Sequence, residues 1–296
     1  MNRIVLLGLL IFGLSLSVGA SPLRVLATTT IVGDVVSQIG DADIDLTVLL
    51  PVNADPHGFE PTPDEIAAIS DADLVFINGA GLELGISPFL EMASGPVVSL
   101  SDFIPLRRLE AGDEEEEAWF DPHVWFDPRN VMTWSAVIAK TLGDLDPANR
   151  PAYEERAEAY RSKLERLDSW IVEQVGKIPE ENRKLVTDHA AFGYFAARYG
   201  FEQVGAVFPG FSTLSSPSAR ELAELEDKIR SFGIPAIFVG TTVNPALAEQ
   251  IAADTETRVV FLYTGSLSGP DGPAGSYIDL MRYDVEAIVR GLAGEE

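Results

Sequence analysis

Short apolar, β-branched runs recur along the chain at Leu23–Thr28, Leu46–Leu50, Leu74–Ile77 and Val97–Leu100, and again at Lys184–Thr187, Gln203–Val207, Ala236–Gly240 and Arg258–Leu262. Between them lie stretches whose apolar residues return every three or four positions: Ile31–Ile39, Thr62–Ile69, Ser218–Phe232 and Pro245–Asp254. A run that is apolar without alternation suits a strand covered on both faces. Helical patterns between such runs make βαβ units and a parallel sheet. The pattern therefore predicts an α/β fold of two lobes, each a four-stranded, mainly parallel sheet with flanking helices. No residue-level repeat relates the two halves.

Between the halves, Tyr153, Ala157, Tyr160, Leu164, Leu167, Ile171 and Val175 keep helical spacing without a break. Asp146 and Pro147 read as its start, Gly176 and Pro179 as its stop. A single helix of about 28 residues, roughly 42 Å long, is expected there as a rigid strut between the lobes. This divides the chain into an N-terminal lobe over residues 21–145, a linking helix over 146–177 and a C-terminal lobe over 178–296. With 46% hydrophobic residues in 296, two cores can be filled.

The ends and the composition narrow the compartment. Met1-Asn2-Arg3, an apolar run from Ile4 to Val18 and small residues through Ala20 read as a signal peptide over residues 1–20. The run is shorter than the roughly 20 apolar residues of a spanning helix, so export to the periplasm without membrane insertion is expected once the leader is removed. The chain has no cysteine, which excludes disulfides, thiolate ligands and a lipid carried on a cysteine. A periplasmic protein that is not a lipoprotein, and a monomer, is the expectation. The formal charge of −25 repels nucleic acid and anionic membranes and draws in cations. Six carboxylates fall within Glu110–Glu117, which has no periodicity and reads as a mobile acidic loop.

Only three histidines occur, His57, His123 and His189. His57 lies in Asp55-Pro56-His57-Gly58-Phe59-Glu60-Pro61-Thr62-Pro63, where prolines restrict the backbone and Thr62 and Pro63 look like the N-cap and first turn of a helix. His123 lies in Trp119-Phe120-Asp121-Pro122-His123-Val124-Trp125-Phe126-Asp127-Pro128. The aromatics there exclude water, and Asp121 or Asp127 is placed to hold the second imidazole nitrogen. His189 lies in Thr187-Asp188-His189-Ala190-Ala191-Phe192-Gly193-Tyr194-Phe195 at the carboxyl end of a strand, where ligands of open α/β sheets bind. Asp188 is expected to cap the following helix. Imidazole is the donor that borderline divalent cations prefer, and three of three histidines in such contexts point to one metal site.

These three segments, with the closing stretch Tyr277–Tyr283, resemble the zinc and manganese solute-binding proteins of ATP-binding-cassette importers over essentially the whole chain. The resemblance implies two α/β lobes joined by one long helix, metal held between them, and His57, His123 and His189 at the first three ligand positions. Members often place an aspartate at a strand end for the fourth. Here Phe261-Leu262-Tyr263-Thr264-Gly265-Ser266-Leu267 has Gly265 at that place. A glycine leaves either an open coordination position or a turn that needs positive φ. The fourth donor stays open between water, a carboxylate of Asp113–Glu117 and Asp271.

Three imidazoles suit zinc; manganese favours more oxygen donors, and related manganese carriers commonly have a carboxylate where His189 stands. The expected function is capture of Zn2+, ahead of Mn2+, as a transported substrate, and its delivery to a membrane permease. The alternatives are a manganese carrier of the same type, a zinc buffer or adhesin without a transporter, and a zinc hydrolase. A hydrolase would use three histidines and an open position to generate hydroxide, but it also needs an acid or base that no motif here supplies.

Overall fold

The structure, a computed structural model, describes residues 21–108 and 120–293. The expected signal peptide, Trp119 and the acidic segment 110–117 lie outside the described residues. Among the described residues, no helix is long and apolar enough to cross a membrane.

Two four-stranded parallel sheets form. The first comprises β1 (Leu23–Ala27), β2 (Ile44–Val48), β3 (Leu74–Ile77) and β4 (Val97–Ser99) in the order β2-β1-β3-β4. The second comprises β5 (Lys184–Thr187), β6 (Glu202–Ala206), β7 (Ala236–Gly240) and β8 (Arg258–Leu262) in the order β6-β5-β7-β8. The two orders are the same when read from each half's own first strand. The halves thus repeat in topology although not in residues. The expected strand at Leu46–Leu50 sits two positions earlier, because pairing with β1 begins at Leu23↔Ile44 and ends at Ala27↔Val48. Leu49 and Leu50 remain buried beyond the strand end.

The expected helices appear as α1 (Thr30–Gly40), α2 (Pro63–Asp71), α7 (Ala219–Phe232) and α8 (Ala246–Thr255), with α3 (Ser87–Leu90) and α6 (Gly193–Tyr199) as short additions. Local chemistry fixes their starts. Thr62 with Glu65, and Ser218 with Glu221, form reciprocal capping boxes for α2 and α7. Two long helices, α4 (Pro128–Leu145) and α9 (Tyr277–Ala293), were not among the elements expected from the pattern. Both are amphipathic, and Val131, Trp134, Ile138 and Leu142 form the buried stripe of α4.

The linking helix α5 runs from Arg150 to Val175, 26 residues, or roughly 39 Å at 1.5 Å per residue. It starts later than Asp146-Pro147 suggested. Asp146 turns back to accept hydrogen bonds from Asn149 Nδ2 (2.7 Å) and Tyr153 Oη (2.9 Å), and Pro151 takes the first-turn position. All seven spaced apolar residues of α5 are buried, against α4, α1 and α9. Arg156 of α5 also donates to the last carbonyls of α1, Ile39 and Gly40, each at 3.0 Å.

The inner faces of the two sheets do not close into two separate cores. One continuous apolar cluster runs from β1 and α1 through α4 and α5 to β5, β7 and α9. Only the outer faces are covered locally, by α2 and α3 in the first half and by α7 and α8 in the second. The shared core holds the strand ends of the two halves facing one another.

Candidate metal centre

His57, His123 and His189, distant in sequence, meet at those facing ends. Each offers one ring nitrogen such that all three lie within 4.8 Å of one another. His123 Nε2 is 3.2 Å from His57 Nε2 and 3.0 Å from His189 Nε2. All three side chains are buried, at 9%, 1% and 2% exposure.

Backbone and carboxylates aim each ring. His189 is the second residue after β5, and Asp188 Oδ1 takes both its backbone N–H (2.7 Å) and its Nδ1 (2.8 Å). The other Asp188 oxygen accepts from Gly240 N at 2.7 Å. Asp188 therefore orients the imidazole and does not cap a helix as expected: α6 begins only at Gly193, with no side-chain cap. His123 is treated alike, since Asp121 Oδ1 accepts from its backbone N–H (3.0 Å) and holds its Nδ1 (2.9 Å). Of the two candidate aspartates, Asp121 is the one that holds the ring. Asp127 instead caps α4 by accepting from Arg129 N. Tyr194 Oη donates to the Asp121 carbonyl (3.1 Å) and accepts from Arg107 N (3.0 Å), tying the His123 segment to α6.

His57 is held through its backbone alone: its N–H donates to Asp55 Oδ1 (3.0 Å), while Asp55 Oδ2 accepts from Thr213 Oγ1 across the cleft (2.5 Å). Thr213 carries no sequence signal, because its role depends on how close the two halves come. Beside His57 a cleft of about 660 Å³ opens, lined by Phe59, Leu82, Phe120, Phe211 and Leu214. Beneath the site the Trp125 ring stands edge-on to His123 (5.3 Å between centroids), and Phe126 stacks on Phe192 at 4.3 Å. The aromatics of the second motif thus pack under the site and also join it to the third.

The rings' electrostatics favour a cation. Carboxylates at Nδ1 of His123 and His189 favour the tautomer whose Nε2 carries a lone pair, so two lone pairs converge with nothing but a proton or a cation to separate them. Burial and the neighbouring His189 push His57 down to about 3, and burial with both neighbouring rings lowers His123 as well. Burial also acts against protonated His189, but the charge and hydrogen bond of Asp188 outweigh it and raise the group above its ordinary value. Burial pushes Asp121 up to about 7. One ring that keeps a proton among two that shed theirs is an arrangement in which a metal ion can replace that proton.

Neither Asp271 nor any other described carboxylate joins the three nitrogens, and Asp271 is exposed. The segment Asp113–Glu117 lies outside the described residues. Gly265 does not have positive φ, so the turn explanation for this glycine is wrong. The reason is contact: a Cβ at Gly265 would lie 2.9 Å from Pro56 Cδ, the residue before His57. Next to it, Ser266 Oγ accepts from Asn53 N (3.0 Å), and Leu267 N donates to Thr30 Oγ1 (2.9 Å). The strand-end loop is thereby latched onto the opposite half.

Along most of its length the chain is similar to known proteins. The family described as zinc-uptake complex component A, periplasmic (ZnuA), matches residues 25–291. The manganese-binding lipoprotein MntA of Halalkalibacterium halodurans is 34% identical over 273 residues, covering 92% of this chain and 89% of the relative. The manganese ABC transporter substrate-binding lipoprotein PsaA of Streptococcus pneumoniae is 30% identical over 280 residues, with 92% and 89% covered. Among solved structures, the periplasmic zinc-binding protein TroA from Treponema pallidum superposes with a TM-score of 0.85 at 28% identity, covering 92% of this chain and 99% of that one.

Proposed function

The chain belongs to the family of periplasmic zinc-uptake complex component A, and from that membership we propose that it captures one divalent transition metal, zinc, outside the cytoplasm on His57, His123 and His189. It passes the ion to the membrane permease of an ATP-binding-cassette importer. The observation that carries this reading is the convergence of three buried Nε2 atoms around one point, with carboxylates behind two of the rings. The metal is cargo here and not a catalytic centre, in keeping with a family of solute-binding proteins.

The donor set supports zinc: three neutral nitrogens suit a borderline cation, whereas manganese prefers oxygen. The second reading, manganese, is favoured by the names of relatives such as MntA and PsaA. Several relatives are named lipoproteins. This chain has no cysteine, so we propose export without a lipid on cysteine.

Competition of the apo protein against a chromophoric chelator, with bound metal counted by mass spectrometry, tests the assignment. One equivalent of zinc, bound at least tenfold more tightly than manganese, is the expected result. A preference for manganese would transfer the assignment to the second reading.

A further inference from the structure

Glu83 belongs to none of the three histidine segments, yet its carboxylate is buried at 5% exposure. A buried carboxylate is costly unless its oxygens are satisfied, and this one takes three hydrogen bonds. Thr28 Oγ1 donates at 2.7 Å and Asn78 N at 2.6 Å to one oxygen; Gly79 N donates at 3.0 Å to the other. The chain can converge on it because Gly79, Ala80 and Gly81 all have positive φ, at 85°, 52° and 82°. A left-handed run that includes an alanine persists only where its surroundings hold it, and the Glu83 carboxylate is what the turn is wound around.

The loop so held touches both histidine segments of the first half. Asn78 is fully buried, and its Nδ2 donates to the carbonyl of Pro122 at 2.9 Å, one residue before His123. Gly85 lies so close under the Phe59 carbonyl, two residues after His57, that a Cβ there would overlap the oxygen. The Asn78 carbonyl is in turn held by the backbone N–H and hydroxyl of Ser101. A single carboxylate thus braces the loop that separates the His57 segment from the His123 segment.

We propose that Glu83 is a positioning residue for metal capture: through Asn78 and Gly85, the loop wound on its carboxylate sets the spacing between His57 and His123. The proposal rests on the reading of the three histidines as the metal site. A carboxylate that only stabilised its lobe would affect melting and leave the bound metal's geometry alone.

Cobalt(II) replaces zinc in nitrogen sites and reports its coordination in the visible spectrum, so the test follows zinc affinity, the cobalt spectrum and apo melting in whole protein. Glu83→Gln turns an amide N–H2 toward Gly79 N–H or toward the Thr28 and Asn78 donors. Asn78→Asp sets a carboxylate oxygen against the Pro122 carbonyl, and Gly85→Ala displaces Phe59. Each is expected to weaken zinc about 10- to 100-fold, as loss of outer contacts to metal ligands does, and to shift or weaken the cobalt bands. Ile69→Ala, which removes a fully buried side chain from the same half's outer core, is expected to lower the melt and leave spectrum and affinity as in the wild type. If Glu83→Gln does not fold, Asn78→Asp and Gly85→Ala decide. Wild-type affinity and spectrum in variants that merely melt lower would overturn the proposal, as would an equal spectral change in Ile69→Ala. Failure of the wild type itself to bind one zinc, or indifference to His123→Ala, would overturn the metal-site reading and the proposal with it.

Discussion

The two halves have the same strand order and use it differently. In the C-terminal half, β5 runs straight into Asp188 and His189, so a histidine of the proposed site stands at the end of the strand with its orienting carboxylate one residue before. Its counterpart β1 is followed only by Thr28 and Thr29 before α1 begins at Thr30, with Thr29 Oγ1 accepting from Val32 N as a cap. The N-terminal half brings its two histidines on loops well clear of a strand end, each with an aspartate two residues before: Asp55 holds only the His57 backbone, and Asp121 holds both backbone and ring of His123. The loop after β8, counterpart of β4, brings only Gly265. The same topology therefore offers equivalent strand ends, and local capping chemistry decides which present a histidine and which become helix starts.

On this division, removing a histidine that has a carboxylate behind its ring should outweigh removing any support. His123→Ala, which deletes the central nitrogen of the three, should weaken zinc by more than about a hundredfold, beyond the range typical of outer contacts. His189→Ala should follow closely, and His57→Ala, whose ring has no carboxylate behind it, should cost least while still exceeding tenfold. Isothermal titration with a competing chelator ranks the three. A His57→Ala loss larger than that of His123→Ala would reverse the order of importance assigned to the two kinds of ring.

Proton competition gives the next largest effect. His189 is raised above its ordinary value by Asp188 and Asp121 sits at about 7, while His57 and His123 shed their protons far lower. Metal must displace the protons that His189 and Asp121 retain. Apparent zinc affinity should therefore fall as pH drops through the range in which these two groups take up protons, by roughly one to two decades per unit, and level off only where both are deprotonated. Asp188→Asn removes the charge that raises His189, so it should lower affinity at pH 8 yet make the slope shallower by about one proton. An unchanged slope in that variant would show that His189 is not the competing group.

The smallest effect concerns Gly265. A side chain there meets Pro56 without backbone strain, so two substitutions separate donor from bulk. Gly265→Ala should loosen zinc several-fold by pressing on the residue before His57. Gly265→Asp adds an anionic oxygen and should tighten it several-fold despite the same contact. Melting with chelator and with excess zinc reads both, because tighter binding widens the gap between the two melts. If alanine and aspartate narrow the gap alike, the loop after β8 does not face the metal.

Much of this is legible in sequence because burial on both faces leaves a local imprint: β3, β5 and β7 fall where the apolar runs do, and Thr62 and Ser218 announce their helices. The three histidines were legible because they are the only ones and each has an aspartate one or two residues before it. What stayed hidden depends on contacts between distant segments. Asp188 looked like a cap, since nothing local reveals that α6 starts only at Gly193 or that Gly240 supplies a donor. Thr213, Asn78 and Glu83 acquire their roles only when loops from different strands meet. α5 starts later than Asp146 suggests because that residue, a cap in type, uses its Oδ2 to accept from the Asn149 and Tyr153 side chains.

The long helix carries a mechanical consequence. A helix bends sharply only at proline, at a glycine pair, or where something interrupts its hydrogen bonds, and α5 has its only proline in the first turn. With one whole face packed into a core common to both halves, swinging them apart would peel apolar surface from water-free contact along most of its length. The molecule is built like a caliper with a stiff spine, which restricts any change in the set of the jaws to small amounts. A receptor that distinguishes loaded from empty must then sense fine differences at the loop rims near Thr213 and Ser266, not a gross change of outline.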